Sequence, residues 1–250
     1  MPITESARKN HERLFPNHQS QLKVSDPELV EIFDNFAFDE VIAQSKLETK
    51  TRVMLILAAI IGGQAIDEYK IMVGGALNAS ITPVEIKEIL YQSVPYVGMA
   101  RAFDFLHATN EVLTSRGHQL PLCPQSTTSA ETRYEMGLAA QKAIFGQMIE
   151  DMYEKSPKDQ LHIQRFLSAN CFGDFYTRTG LDIKMRELVT LSNLIASGGL
   201  DAQVKGHVRG NVNVGNGRDV LIDVITQLLP WVGYPRTLNA LNAVNEVAPS

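Results

Sequence analysis

The sequence predicts an all-α protein made of two copies of one helical unit. Apolar residues recur at three- and four-residue spacing, no alternating stretch is bounded by hairpin turns, and the second half of the chain repeats the first. The repeat is plainest where PYVGMARAFDFLHATNEV (Pro95 to Val112) is laid over PWVGYPRTLNALNAVNEV (Pro230 to Val247). Nine of these eighteen positions are identical at a constant offset of 135, among them Gly98 with Gly233 and Arg101 with Arg236.

Taken in order, Ser25-Asp26-Pro27-Glu28 reads as a helix start, and Phe38-Asp39-Glu40 stands where the second copy has Phe172-Gly173-Asp174. Met54, Leu57, Ile60 and Ile61 then share one helix face, which Gly62-Gly63 is expected to end. Thr82-Pro83-Val84-Glu85 is a capping box with proline at the first helical position, so a helix begins there and runs through Ile86, Ile89 and Leu90. Thr114 to Glu131 is rich in Ser, Thr, Pro and Gln and reads as an exposed connection. The expected division is a divergent first unit at 1–113, a linker at 114–130 and a second unit at 131–250.

In the second unit, Ser156-Pro157-Lys158-Asp159 reads as another helix start. LDIKMRELVTLSNLIASGG (Leu181 to Gly199) mirrors LETKTRVMLILAAIIGG (Leu47 to Gly63), with Leu188, Leu191, Leu194 and Ile195 on the apolar face and Gly198-Gly199 as the stop. The offset is 134 before the glycine pairs and 135 after, so one residue is inserted between Ile195 and Gly206.

Composition narrows the function classes. A chain of 250 residues, 44% hydrophobic, can bury one large or two small cores. The net charge of -5, with its positive charges dispersed, argues against nucleic acid as a partner. The stretch MPITESARKNHERLF lacks the apolar centre of a secretory signal, and the longest apolar run, VMLILAAIIGG from Val53, falls short of the roughly 20 residues that span a bilayer. A cytoplasmic protein with no membrane partner is therefore expected. Cys123 and Cys171 form neither a Cys-x-x-Cys pair nor a zinc-type spacing, and His11, His18, His107, His118 and His162 are scattered, so no metal is expected.

The second half, from YEMGLAAQKAIFG through GDFYTRTGLDIKMRELVTL to KGHVRGNVNVG and LLPWVGYP, resembles a complete γ-carboxymuconolactone decarboxylase of the alkyl hydroperoxidase D-like superfamily, and the first half resembles a more divergent copy. The resemblance implies all-helical units and cofactor-free chemistry. Because single units of this superfamily assemble as trimers or hexamers, it also implies a homotrimer of tandem chains. The peroxidase branch carries Cys-x-x-Cys-x-x-x-His, and here Leu200 and Gln203 occupy the cysteine positions before His207. Dithiol peroxide reduction is thereby disfavoured.

Candidate site residues follow from the same resemblance. His207 keeps the family position and would return a proton to carbon after loss of carbon dioxide; otherwise it is a packed core histidine. Glu187 would set the tautomer or charge of His207, or else partner an arginine. Val53 and Met72 hold the corresponding places in the first unit, whose pocket is therefore expected to be inert or to serve only to support its neighbour. Arg178 matches the arginine of the decarboxylase signature and would hold a substrate carboxylate, whereas the recurrence of Arg186 as Arg52 points to structure. Gln203, four residues before His207, would hydrogen-bond a substrate carbonyl. Trp231, matched by Tyr96, would wall the pocket or fill the core. The functional expectation is a cofactor-free lyase or isomerase acting on a small carboxylated lactone or related acid. The alternative is a non-catalytic oligomeric binding or scaffold protein.

Overall fold

The computed structural model describes residues 2–18 and 20–249, and every regular element in it is helical. In chain order these are α1 (Glu5–Leu14), α2 (Leu22–Ser25), α3 (Pro27–Asn35), α4 (Val41–Ala43), α5 (Thr49–Gly63), α6 (Ile66–Asn78), α7 (Pro83–Val97) and α8 (Met99–Ser115). After the exposed connection come α9 (Arg133–Phe145), α10 (Met148–Lys155), α11 (Leu161–Phe166), α12 (Ile183–Ser197), α13 (Asp201–Asn213), α14 (Arg218–Val232) and α15 (Tyr234–Val247). The series α5 to α8 recurs as α12 to α15. No helix among the described residues is long and apolar enough to cross a membrane.

The two central helices explain the architecture. In α5 every residue from Arg52 to Gly62 is buried, and in α12 every residue from Arg186 to Ala196 is buried. A helix covered on all sides must lie inside the molecule. α5 and α12 pack against each other at the centre, and each third helix crosses to the other unit, α7 lying on α12 and α14 on α5. The principal apolar core is therefore continuous through both units, running from Leu14 and Phe38 to Leu228 and Val244. A smaller cluster of Ile144, Cys171, Phe172 and Tyr176 lies under α9.

Local chemistry sets the element ends. The capping box at Thr82 is formed: its hydroxyl accepts from Glu85 N at 3.2 Å and the Glu85 carboxylate accepts from Thr82 N at 2.8 Å. Gly198 ends α12 with φ 70°, as expected. Gly62 and Gly63, by contrast, lie inside α5, and the left-handed stop falls on Gln64 at φ 60°. The reason is a close approach between helices: a Cβ on Gly62 would sit 2.4 Å from the Asn193 carbonyl oxygen of α12. Ser156-Pro157 opens a turn, and the next helix starts only at Leu161. A feature absent from the sequence expectations is a wide π-helical segment in each unit, Phe36–Glu40 and Leu167–Tyr176. Such widened turns redirect side chains and often mark functional sites.

Because Gly62 sets the α5–α12 distance, Gly62→Ala must push the two units apart. A loss of about 1–3 kcal/mol is expected from overpacking, read as a lower midpoint in denaturant unfolding with an unchanged helical circular dichroism spectrum.

Candidate functional site

The second unit brings its two candidate catalytic residues together. Glu187, one turn into α12, and His207, midway along α13, meet with His207 Nδ1 3.0 Å from Glu187 Oε2. The glutamate side chain is fully buried and that of the histidine is 12% exposed. Gly210 makes this possible, since a Cβ there would stand 2.5 Å from Glu187 Oε2. Asn211 fixes the crossing of the two helices, its Nδ2 donating to the carbonyls of Glu187 at 3.1 Å and His207 at 2.8 Å. The rings of Tyr96 and Phe145 each stand edge-on to the imidazole with centroids 5.5 Å away. With Nδ1 directed at the carboxylate, Nε2 is the nitrogen left for a ligand.

Behind this pair lies a buried hydrogen-bonded chain that crosses into the first unit. Tyr176 donates its phenol to Glu187 Oε1 at 2.7 Å, so the Tyr176 oxygen is free to accept from Tyr96 at 2.8 Å and from Thr190 at 3.0 Å. Gln92 Nε2 donates to the Thr190 hydroxyl at 3.1 Å, and Gln92 Oε1 accepts from Arg186 Nη1 at 3.0 Å. Arg186 Nη2 reaches Glu88 Oε2 at 2.9 Å, and Arg178 grips the same carboxylate through Nε and Nη2 at 2.8–3.1 Å. Glu88, Gln92 and Tyr96 are spaced four apart on α7, so one face of a first-unit helix carries all three. Burial pushes the phenols of Tyr96 and Tyr176 well above their ordinary pKa, so both remain proton donors.

The other candidates lie elsewhere. Arg178 is committed to Glu88 and faces a different cavity, stacked 5.1 Å from the Tyr91 ring centroid. Gln203 is exposed on α13. Trp231 is not beside His207: because α14 crosses to the first unit, Trp231 packs edge-on against Phe33 at 5.3 Å and lines a cavity of about 310 Å³ with Phe15, Phe38 and His11. By the same reciprocity its counterpart Tyr96 stands against His207. Val53 and Met72, which correspond to Glu187 and His207, are fully buried in apolar core. Among the described residues no group of three or more His, Cys, Asp or Glu is arranged to hold a metal ion.

Tyr176, Gln92 and Glu88 were not singled out by sequence reasoning, and Tyr96 entered only as the counterpart of Trp231. The four-residue spacing on α7 was readable, but it also describes any buried helix face. Only the crossing of α7 onto α12 makes it part of this site.

The thiols separate sharply. Cys123 is exposed, whereas Cys171 is buried below the Tyr96 hydroxyl, with Sγ 3.8 Å from the phenol oxygen. Burial pushes the Cys171 thiol up to about 12, so it carries no appreciable thiolate at neutral pH and is a poor peroxide nucleophile. In native protein a disulfide reagent is expected to titrate one thiol per chain from pH 7 to about 9, and both after unfolding. Rapid reaction of Cys171 in the folded chain would contradict this assignment.

The model of the carboxymuconolactone decarboxylase family matches this chain twice, over residues 27–111 and 162–246. The chain is 29% identical to 4-carboxymuconolactone decarboxylase of Acinetobacter baylyi (strain ATCC 33305 / BD413 / ADP1) over 118 residues, 47% of this chain and 87% of that protein. A solved structure described as a gamma-carboxymuconolactone decarboxylase subunit from Burkholderia xenovorans LB400 shares the fold end to end, with a TM-score of 0.56 and 20% identity over 98% of this chain and 99% of that one. The chain belongs to the carboxymuconolactone decarboxylase family, with two family units in tandem.

Proposed function

We propose that the second unit is a cofactor-free carboxy-lyase site for a small carboxylated lactone or related acid, with His207 as the proton donor. The observation that supports this most directly is the His207–Glu187 pair, held at 3.0 Å with Nε2 left free. Loss of carbon dioxide breaks the bond between carbon and carboxylate and leaves the electron pair on a conjugated carbonyl as a dienolate. That carbanion must gain a proton at carbon. An imidazolium whose Nδ1–H is bound by a carboxylate supplies it from Nε2, and the neutral ring then recovers its proton from water. Glu187 holds the tautomer and stabilises the charged ring. The edges of Tyr96 and Phe145 keep the imidazole plane fixed, so the proton is delivered in one direction.

Arg178 pairs with Glu88 and lines a different cavity, so in this reading it does not hold the carboxylate of a substrate at His207. Gln203 and Trp231, exposed in one case and in the opposite unit in the other, have no part in the proton transfer. A reducing compartment suits a chain with an exposed free cysteine, and we place the protein in the cytoplasm on that ground.

We also propose a homotrimer of tandem chains. Exposed apolar residues recur at matched positions of the two units: Leu29 with Ile163, Ile32 with Phe166, Met99 with Tyr234 and Phe103 with Leu238. A patch duplicated by the repeat suits six quasi-equivalent contacts in a ring. Light scattering is expected to return three times the 27.7 kDa chain mass, and a monomer would overturn the assembly.

The activity test is carbon dioxide release from γ-carboxymuconolactone. His207→Ala is expected to lower turnover by about 10²–10⁴-fold, the usual worth of a positioned acid or base, with Glu187→Gln intermediate. Unchanged turnover in His207→Ala would sink the mechanism. Absence of turnover in the wild-type protein would move the function to another acid or to a binding role.

A further inference from the structure

A cavity of about 410 Å³ opens between α7, Asn110 on α8 and the connection at 120–125, away from His207 and Glu187. Its electrostatics do not balance. Arg178 and Arg186 share the single carboxylate of Glu88, leaving one positive charge over. Lys87 adds a second. It is only 9% exposed, donates to Asn110 Oδ1, and forms no ion pair among the described residues. The Tyr91 ring lies between these cations, 6.0 Å from Lys87 Nζ and 5.1 Å from Arg178 Cζ, while Leu120, Leu122 and Pro124 provide an apolar wall.

A buried ammonium without a counter-charge is costly, and an anion that enters the cavity removes that cost. An ammonium has three donors, of which Asn110 takes one, so oxyanion acceptors can be met directly. The Leu and Pro side chains reward an apolar body attached to the anion. We propose that this cavity is a binding site for a small carboxylate with an apolar or aromatic body, its carboxylate on Lys87 and its body against Tyr91 and the 120–125 segment. The site is separate from the His207 pair and does not depend on the decarboxylase reading. Burial without a carboxylate partner also lowers the Lys87 pKa, in keeping with an ammonium that lacks its anion.

Cys123 lines this cavity and is exposed, whereas Cys171 is buried, so the cavity carries its own reporter. The experiment follows alkylation of Cys123 by neutral iodoacetamide, using intact-mass spectrometry, across a titration with sodium benzoate. Saturable protection is expected, with none from benzyl alcohol or sodium chloride at the same concentrations. In Lys87→Met and Lys87→Gln, each checked for a wild-type melting curve, the half-protecting concentration should rise about tenfold or more, the worth of a charge-assisted contact. No protection by benzoate, equal protection by benzyl alcohol, or unchanged protection in folded Lys87 variants would overturn the site. The benzoate and benzyl alcohol contrast in wild-type protein decides the matter if neither variant folds. Since no turnover is measured, failure here leaves the lyase reading untouched.

Discussion

Glu88 is the buried carboxylate on which the arrangement of the second unit's site depends. It sits on a helix of the first unit and accepts from two guanidinium groups of the second, Arg178 and Arg186. Removing it would leave the buried Arg186 and the half-buried Arg178 without a carboxylate, and loss of the partner of a buried pair costs about 3–5 kcal/mol. Its position also sets the register of α7 on α12. With Glu88 fixed, Gln92 and Tyr96 follow at successive turns and reach Arg186, Thr190 and Tyr176. One carboxylate with its two arginines thus aligns a whole helix face with the site it supports.

The reciprocal contact shows what the first unit has lost. Asp223, Gln227 and Trp231 on α14 stand where α7 has Glu88, Gln92 and Tyr96. Asp223 accepts from the backbone of Lys46, and Gln227 donates to the Val41 carbonyl while its Oε1 finds no partner among the described residues. Arg52, the match of Arg186, remains buried, and desolvation lowers its pKa. The scaffold residues persist, but the chain of donors has no carboxylate to end on, because Val53 replaces Glu187 and Met72 replaces His207. Trp231, the counterpart of Tyr96, lines an aromatic cavity there with Phe15, Phe33 and Phe38.

How much of this was legible follows from what a period can encode. The all-α class, the tandem repeat and the capping box at Thr82 are local patterns or self-comparisons, and the structure has them. His207 and Glu187 were paired through the family resemblance, and the fold brings them into contact. Helical spacing says which residues share a face, but not which helix lies opposite. Sequence therefore leaves open whether Trp231 walls the pocket or fills the core; it packs on the core of the opposite unit, and its repeat partner Tyr96 stands beside His207. Arg178 shows the same limit: its carboxylate partner, Glu88, lies 90 positions earlier and has no signal in the local sequence. The π-helical segment that aims Tyr176 at Glu187 has no sequence period of its own.

The hydrogen bonds behind Glu187 run in one direction. Arg186 can only donate, so Gln92 must accept through its oxygen and donate through its amide. Thr190 must then pass its hydrogen to Tyr176, and Tyr176 its own to Glu187. The second branch, from the Cys171 thiol through Tyr96 to Tyr176, runs the same way. Both branches converge on Glu187, which is therefore an acceptor at Oε1 and is best satisfied as a carboxylate that also accepts from His207 Nδ1. Nε2 is then the only nitrogen with freedom to exchange a proton with a ligand. Two members of that chain, Gln92 and Tyr96, belong to α7, in the unit that has no such pair itself. The first unit thus contributes direction to the site, and its separation from the second would remove Gln92 and Tyr96 from the chain of donors behind His207.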